Sequence, residues 1–464
     1  MGDQFKVIII GSGLSGTLLA NGLIRNNVEV TVYERLTKGI KREGYQIRIG
    51  PDSLRGFQAC LDDGQVREVL GKCGRSNGSR SSAPVMYDKN FNVLLDATKF
   101  PTYNKSAPIN RVILRDILAK PVEDAGCVLS GKQFERYSIL NPGTTSERVR
   151  AHFSDGSWDD CDLLIGADGS HSKINRQVGL NNISELGTHL FMISKCELPT
   201  ERYRTMSSPL QNYPLLTFAD NMSMFYCAYL PDKENEETLN EGARSFDDKL
   251  SSCMFALIVP VDKCPPDFSQ LPVEEQWDFI AATLRSWAPE YHEIVDLLRG
   301  SSIYAYKTRA SKRPSMSWRK KVQRSGAVEQ GHPRVWLLGD AMHAMLPARG
   351  MGGNTAMRDT ETMLPLVTEL AEYAEEHKSL PSTVIAEKLA QYEAEMIPRA
   401  FEWVEKSGGT TIMPLDSTRF LSRVFFFVAA QAMNLSYLWK KFTSIFTKAK
   451  PVQTDVDFER YLGR

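Results

Sequence analysis

The chain has 464 residues, 42% of them hydrophobic, and its 56 basic and 56 acidic side chains cancel to a formal net charge of zero. That length exceeds what one hydrophobic core serves and implies two or three interleaved units, while the charge balance offers no electrostatic footprint for nucleic acid. Eight cysteines and seven histidines are scattered without CxxC pairs, HExxH or metal-like clusters, which argues against a disulfide framework, zinc or any other metal site. An apolar strand opens so early that no room is expected for a secretory signal, so a reducing, cytoplasmic setting is the expectation.

The most informative stretch is 6–34, KVIIIGSGLSGTLLANGLIRNNVEVTVYE. Residues 7–10 form an apolar run that reads as a buried parallel strand. Gly11, Gly13 and Gly16 follow in GxGxxG spacing, a helix is expected over 14–25, and a second apolar strand over 28–33 ends at Glu34. In this order Gly11 permits the tight turn, Gly13 lets a pyrophosphate approach the backbone, and Gly16 lets helix and sheet pack closely. Free amides at the helix N-terminus meet the phosphates. Glu34 can accept the hydroxyls of an adenosine ribose, which suits FAD or NAD better than NADP. A tight turn in an unrelated α/β sheet is the alternative.

Beyond Glu34 a basic, glycine-containing segment carries Arg42, Arg48 and Arg55, which are either a solvated loop or residues facing a ligand. A short strand is expected at 45–49 and a helix from Pro51. Residues 73–83 read as a surface connection, and 85–87 and 91–95 as antiparallel strands. INRVILRDIL, 109–118, reads as a short helix with Arg111 at its start. Strands are expected at 134–139 and 149–153. The run DLLIGADG, 162–169, puts Asp168 at the carboxyl edge of a buried strand, where ligands of α/β sheets bind. A helix is expected over 170–178.

From 187 to 260 short alternating strands describe a second, largely antiparallel sheet, interrupted by a charged insertion at 234–249. Helical periodicity over 274–298 is expected to divide at Pro289, and 302–308 returns as a strand. Tyr304, Tyr306 and Trp318 are aromatic candidates for a pocket, with structural packing the plainer reading. The strand 335–339, VWLLG, ends in Asp340, and ARGMGGNTAMRD feeds a long helix. Gly350, Gly352 and Gly353 permit close approach to a flat ligand, and the helix beginning near Asn354 offers free amides and the positive end of its dipole. His343 reads as a structural hydrogen-bonding residue. Helix is expected over 384–401, with a stop or bend within 396–409, which holds Pro398 and Gly408-Gly409. The apolar tail 420–437 is too short and polar for a confident membrane span. It is a packing helix, a membrane-surface helix or a dimer contact.

GSGLSG with Glu34, DLLIGADG around Asp168, and LLGDAMHAMLPARGMGGNTAMRD from 337 to 359 form an ordered set. In that order and spacing the chain resembles the class A FAD-dependent monooxygenases of the para-hydroxybenzoate hydroxylase type, over about its first 380 residues. More weakly, it resembles the fungal secondary-metabolite members. The resemblance implies an α/β fold in which a Rossmann-like FAD-binding domain (1–75, 109–186 and 311–380) is interleaved with a mostly antiparallel-sheet substrate domain (76–108 and 187–310), followed by a C-terminal helical segment (381–464). It implies that Gly11, Gly13, Gly16 and Glu34 hold the ADP half of FAD. Arg111 would contact the cofactor, and Asp168 would support FAD and a transient NADPH or NADH. Asp340 would bind the ribityl-phosphate region, and Pro347, Gly352, Gly353 and Asn354 would line the isoalloxazine. The basic segment 41–48 would belong to the channel through which the flavin swings. The implied reaction inserts one oxygen atom from O2 into an apolar aromatic or polycyclic small molecule through a C4a-hydroperoxyflavin, by hydroxylation or epoxidation. Tyr226 and Tyr304 are candidates for a catalytic base. An FAD oxidase or dehydrogenase of the same fold, and a non-catalytic flavin-binding scaffold, are the alternatives. The expected partners are the substrate and O2, without nucleic acid, with the chain a monomer or homodimer and membrane contact only through the tail. One departure is Asn175, where the family carries an arginine; Arg176 follows it.

Overall fold

The computed structural model describes residues 5–39, 46–76, 83–99, 106–231, 246–324, 326–412 and 416–446. Arg42, Tyr45 and most of the charged insertion at 234–249 lie outside them.

The apolar runs of the three motifs become neighbours in one five-stranded parallel sheet, ordered Val335–Leu337, Leu163–Gly166, Lys6–Ile10, Glu29–Glu34 and Val128–Ser130. Val7, Ile8, Ile9, Leu163, Leu164, Ile165, Val335 and Trp336 are fully buried, as expected of strands covered on both faces. The first helix, Leu14–Arg25, buries Leu18, Leu19 and Leu23 on its way to the second strand. A three-stranded antiparallel unit, Phe134–Leu140, Arg148–Phe153 and Trp158–Cys161, leads into the strand that ends at Gly166.

The second sheet runs Ile303–Tyr306, His189–Glu197, Ser252–Pro260, Met222–Leu230, Leu215–Ala219, Val85–Tyr87 and Val93–Asp96, with Arg75–Ser76 paired beside Met222–Leu230. Its pairs are antiparallel except Leu215–Ala219 with Val85–Tyr87. One face, carrying Met192, Met224, Tyr226, Phe255 and Leu257, packs into a core with Trp277 of helix Val273–Thr283 and Ile294 and Leu298 of helix Pro289–Leu298. The split at Pro289 is as expected, since proline suits the first position of a helix. A small ribbon, Gln46–Ile49 against Ala107–Asn110, stands between the two sheets.

Two local expectations are corrected. The helix expected to end at 118 runs Arg111–Asp124 and passes through Pro121, with the Asn110 side chain accepting from the Val112 amide at 2.9 Å. The stretch 170–178 is a 3₁₀ turn, Gly169–His171, followed by helix Lys173–Gln177. The helix expected over 384–401 runs Ser382–Lys406, passes through Pro398 and stops just before Gly408 and Gly409, inside the stretch where its stop or bend is expected. An interior proline costs about 3 kcal/mol, but Met396, Ile397, Ala400 and Phe401 are completely buried around it, and that burial outweighs the lost bond.

Helix Pro51–Cys60 lies so close to helix Gly352–His377 that a Cβ on Gly56 would stand 2.1 Å from the Met357 carbonyl oxygen. Because that neighbour is backbone, it cannot turn aside. Gly56→Ala is expected to lower unfolding free energy by about 1–3 kcal/mol, measured by urea denaturation.

Arg334, 1% exposed, locks the strand Val335–Leu337 in place: it donates to the carbonyls of Asp162 (3.0 Å) and Leu380 and to Glu147. His332 shares this enclosure, 3.4 Å from Glu147. Burial holds its imidazole down, at about 4 against the usual 6.5, with the Glu147 charge opposing. The unfolded chain therefore takes up this proton first. Stability from this group is complete above about pH 6.5 and is lost as pH falls toward about 4, by up to about 3 kcal/mol. Urea titrations across that window should show the decline, and His332→Gln should flatten part of it.

Candidate functional site

The three motif turns leave the parallel sheet side by side. Ile10, Gly166 and Leu337 are register partners across three adjacent strands. The Ala167 amide donates to the Ile10 carbonyl and the Leu338 amide to the Gly166 carbonyl, both at 2.9 Å. Gly11, at φ +111°, backs onto the Ala-Asp-Gly turn, where a Cβ would meet the Ala167 oxygen at 2.4 Å; a Cβ on Gly16 would lie 2.2 Å from the Gly11 oxygen. Gly13 differs from both, because nothing stands within 4 Å of where its Cβ would be. Its bare backbone faces open space beside the N-terminus of the first helix, a geometry that admits a phosphate.

Glu34 is buried at the end of its strand and folds over the glycine turn. Oε2 accepts from the Ser12 hydroxyl (2.8 Å) and amide (3.2 Å), and Oε1 accepts from the Leu36 amide at 3.0 Å. On the other side of the turn, Asp168 Oδ2 accepts from the Lys173 amide at 2.9 Å, while Oδ1 is buried with no hydrogen-bond partner among the described residues. Burial pushes the Asp168 carboxyl above the usual carboxylate range, with the Ser172 hydroxyl and nearby amides pulling it back. An orphaned acceptor atom at a strand's carboxyl edge is a group waiting for a donor.

Gly339, at φ +62°, brings the third motif against the first: a Cβ there would lie 3.1 Å from the Ser15 hydroxyl and 2.9 Å from the Ala356 Cβ. Asp340 keeps an exposed edge but is hemmed in elsewhere. The lost hydration pushes its carboxyl up, against the fields of His343 and Arg111. Arg111, first residue of its helix, is thereby placed beside the Asp340 turn. Pro347 and Gly350 are exposed on the following loop. The long helix begins at Gly352, two residues earlier than expected. The first helical bond observed here is from the Thr355 amide to the Met351 carbonyl, at 2.9 Å, so the amides of Gly352, Gly353 and Asn354 precede the helical ladder.

The Asn354 side chain is consumed inside the protein. Its Oδ1 accepts from the Gly50 amide (2.8 Å) and the Ser53 hydroxyl, and its Nδ2 donates to the Arg48 carbonyl (2.6 Å) and the Gly350 carbonyl (3.1 Å). Only its backbone amide is left for a ligand. Asn175 is likewise structural: 1% exposed, it donates to Asn182 (2.9 Å) and to the Ala341 carbonyl (2.8 Å), tying the second motif to the third. Arg176 is exposed and, with Ser170, Ser172, Asn181 and Arg309, borders a cleft of about 120 Å³. Arg55 pairs at 3.9 Å with Glu361.

The sequence reading assigned no role to the charge network beneath Asp340. Asp359, fully buried, accepts from the Gly339 amide (3.1 Å) and from Arg399 (2.9 Å), and its Oδ2 lies 2.7 Å from His343 Nε2. Arg399 in turn chelates Glu395. Burial alone would raise the Asp359 carboxyl, but His343 and Arg399 prevail and hold it below the usual range. His343 thus has the structural role expected of it. The available signal was an aspartate on the buried stripe of a long helix, which demands a cation from elsewhere.

Of the pocket aromatics, Trp318 is buried in the core of the parallel sheet. Tyr226 is fully buried on the helix-packed face of the second sheet, where burial pushes its hydroxyl far up, so it is excluded as a base beside a flavin. The opposite face carries a feature that periodicity alone left unassembled. Ile193, Ala256, Phe225, Leu216, Met86 and Leu95 are register partners across six adjacent strands, and each is only half-buried. Tyr304, 62% exposed, stands at the outer end of this row. Two residues along from Phe225, Cys227 donates to the Gln46 side chain at 3.2 Å. The strand of Gln46 also supplies Ile47, whose Cδ1 would be 4.0 Å from a Cβ on Gly353. The apolar row therefore faces the glycine-rich turn across one narrow ribbon.

Residues 284–407 match the family model described as an FAD binding domain. The chain is 23% identical over 457 residues to the dual O-methyltransferase/FAD-dependent monooxygenase elcB of Phaeosphaeria nodorum, covering 87% of this chain and 45% of that protein. It is 25% identical to the chloroplastic zeaxanthin epoxidase of Nicotiana plumbaginifolia, covering 84% of this chain and 52% of that one. It spans about half the length of these relatives. Its fold is similar to a putative FAD-containing monooxygenase from Photorhabdus luminescens, with a TM-score of 0.66, 24% identity, and coverage of 87% of this chain and 96% of that one. Domain match and fold agree: the chain carries an FAD binding domain match over 284–407 in a fold like that of an FAD-containing monooxygenase.

The dependence of the Asp340 turn on Asp359 is testable. Asp359→Ala leaves Arg399 charged, largely buried and without this carboxylate. It is expected to cost about 3–5 kcal/mol and to lower FAD retained through gel filtration, read by melting temperature and by flavin absorbance.

Proposed function

We propose that the protein is an NAD(P)H-dependent FAD monooxygenase that inserts one oxygen atom from O2 into an apolar aromatic or polycyclic small molecule, by hydroxylation or epoxidation. The observation that carries this reading is the half-buried apolar row facing the Gly350–Asn354 turn. An apolar floor opposite a cofactor-binding turn suits a flat, weakly polar substrate.

Bound FAD, once reduced, supplies activation of O2 for transfer of a single oxygen atom. The chain's own residues do the rest. Gly11, Gly13 and Gly16 admit the pyrophosphate to the amides of the first helix. Glu34 receives the adenosine ribose, and Asp168, through its orphaned Oδ1, takes a hydroxyl or amide donor. Arg111 and Asp340 flank the ribityl-phosphate region. Pro347, Gly352 and Gly353 would border the ring, and the Gly352, Gly353 and Asn354 amides would be the donors available to negative charge on it. The apolar row excludes water and orients the substrate. The nicotinamide nucleotide, NADPH or NADH, approaches near Asp168. Arg176 and Arg309 offer it cations in place of the arginine that Asn175 replaces. The protein works in the cytoplasm as a monomer or homodimer, with its C-terminal helix as the segment that reaches a membrane surface.

The test is NAD(P)H oxidation by the purified yellow protein against a panel of apolar aromatic and terpenoid compounds under ¹⁸O₂. Substrate-stimulated oxidation with one labelled atom in the product is expected. Product without label would establish the oxidase or dehydrogenase alternative, and FAD binding without any stimulated turnover would establish the scaffold. Asp340→Ala should weaken FAD binding about ten- to hundredfold, as loss of a charged hydrogen-bonding group does, measured by flavin fluorescence titration.

A further inference from the structure

The C-terminal helix, Phe420–Phe446, is apolar on both of its sides. One side packs on the protein: Phe426 and Met433 are buried, and Phe426 stacks on Phe218 with ring centroids 6.5 Å apart. The helix is pinned there by the preceding turn. Asp416 accepts from the amides of Asp220 (3.1 Å) and Asn221 (3.0 Å), the two positive-φ residues of the hairpin joining Leu215–Ala219 to Met222–Leu230. The Ser417 amide donates to the Phe218 carbonyl at 2.9 Å.

The other side is largely exposed. Leu421 is 80% exposed, Phe420 77%, Trp439 68%, Leu435 67% and Phe427 65%, with Val424, Phe425 and Val428 also exposed. At 100° per residue these eight fall within one stripe, opposite Phe426 and Met433. So large a contiguous apolar patch marks an interaction surface. Its chemical surroundings select the partner. Between 419 and 450 the chain carries Arg419, Arg423, Lys440, Lys441, Lys448 and Lys450 and no acidic residue. Among the described residues no helix is long and apolar enough to cross a membrane.

We infer that the C-terminal helix lies in the interface of an anionic lipid bilayer, with the Leu421–Phe425–Phe427–Leu435 stripe among the acyl chains and Arg423 at the headgroups. A helix with an aromatic-rich apolar stripe flanked by lysine and arginine binds in this way, and each basic residue near an anionic surface adds about fivefold in affinity. Phe218, which the helix covers, lies on the same sheet face as Leu216 of the apolar row, so docking sets one end of that row against the membrane. The inference stands on the helix itself, and its failure would leave the oxygenase reading untouched.

Co-sedimentation of the full chain with phosphatidylcholine vesicles, with and without phosphatidylserine, tests it. Pelleting is expected with the serine-containing vesicles and is expected to fall as salt is added. Leu421→Glu combined with Phe427→Glu should stay in the supernatant with an unchanged melting temperature. Arg423→Glu, which leaves the stripe and the Arg419–Asp416 pair intact, should weaken binding at least about fivefold. Failure to pellet with either vesicle overturns the inference, and equal pelleting with both overturns the anionic-lipid assignment. A dimer in light scattering that the Leu421/Phe427 variant dissociates would assign the stripe to a second copy of the chain.

Discussion

Everything about the site depends on how closely three strand ends can approach. The Gly11 backbone sits against the Ala167 carbonyl at a distance that no side chain tolerates, and Gly16 repeats this against Gly11 itself. Hydrogen bonds from Ala167 to Ile10 and from Leu338 to Gly166 then hold the neighbouring turns level. Glycine contributes here by what it omits: backbone atoms of separate motifs come into contact, and the amides beyond them are left aimed at one volume.

A second layer keeps that arrangement rigid, and it is polar rather than apolar. Asn175 ties the second motif to the third, Asn354 ties the third to the ribbon at Gln46–Ile49, and Asp359 fastens the Gly339 turn to His343 and Arg399. Each is deeply buried with its bonds inside the protein. Buried polar groups with several fixed partners are directional in a way that hydrocarbon packing is not, so they suit a site that must hold loops in place.

Much of this was legible from residue order. The glycine spacing, Glu34, Asp168 and Asp340 announce their positions because strand–turn–helix grammar is local and each residue type has few uses in it. What was hidden depends on partners distant in the chain. Nothing near Asp359 signals that Arg399 completes it. Asn175 is in sequence only a departure from the family's arginine, and what it does rests on Asn182, folded back onto it, and Ala341, far from it in the chain. Alternation gives the strands of the second sheet but not which face is covered, so it does not reveal that Tyr226, a candidate base, belongs to the helix-packed core. Pro398 lies inside its helix because propensity is a local quantity and the burial around it is not.

The stretch matching the FAD binding domain, 284–407, contains just one strand of the parallel sheet, Val335–Leu337, at its edge. Its three residues are buried against Leu163–Gly166, which lies far outside that stretch. The recognisable segment is therefore not a portable cassette. Grafted elsewhere it would bring the Asp340 turn without the sheet that aims it, so chimeras with distant relatives are better made by exchanging loops on an intact chain than by transplanting the matched portion.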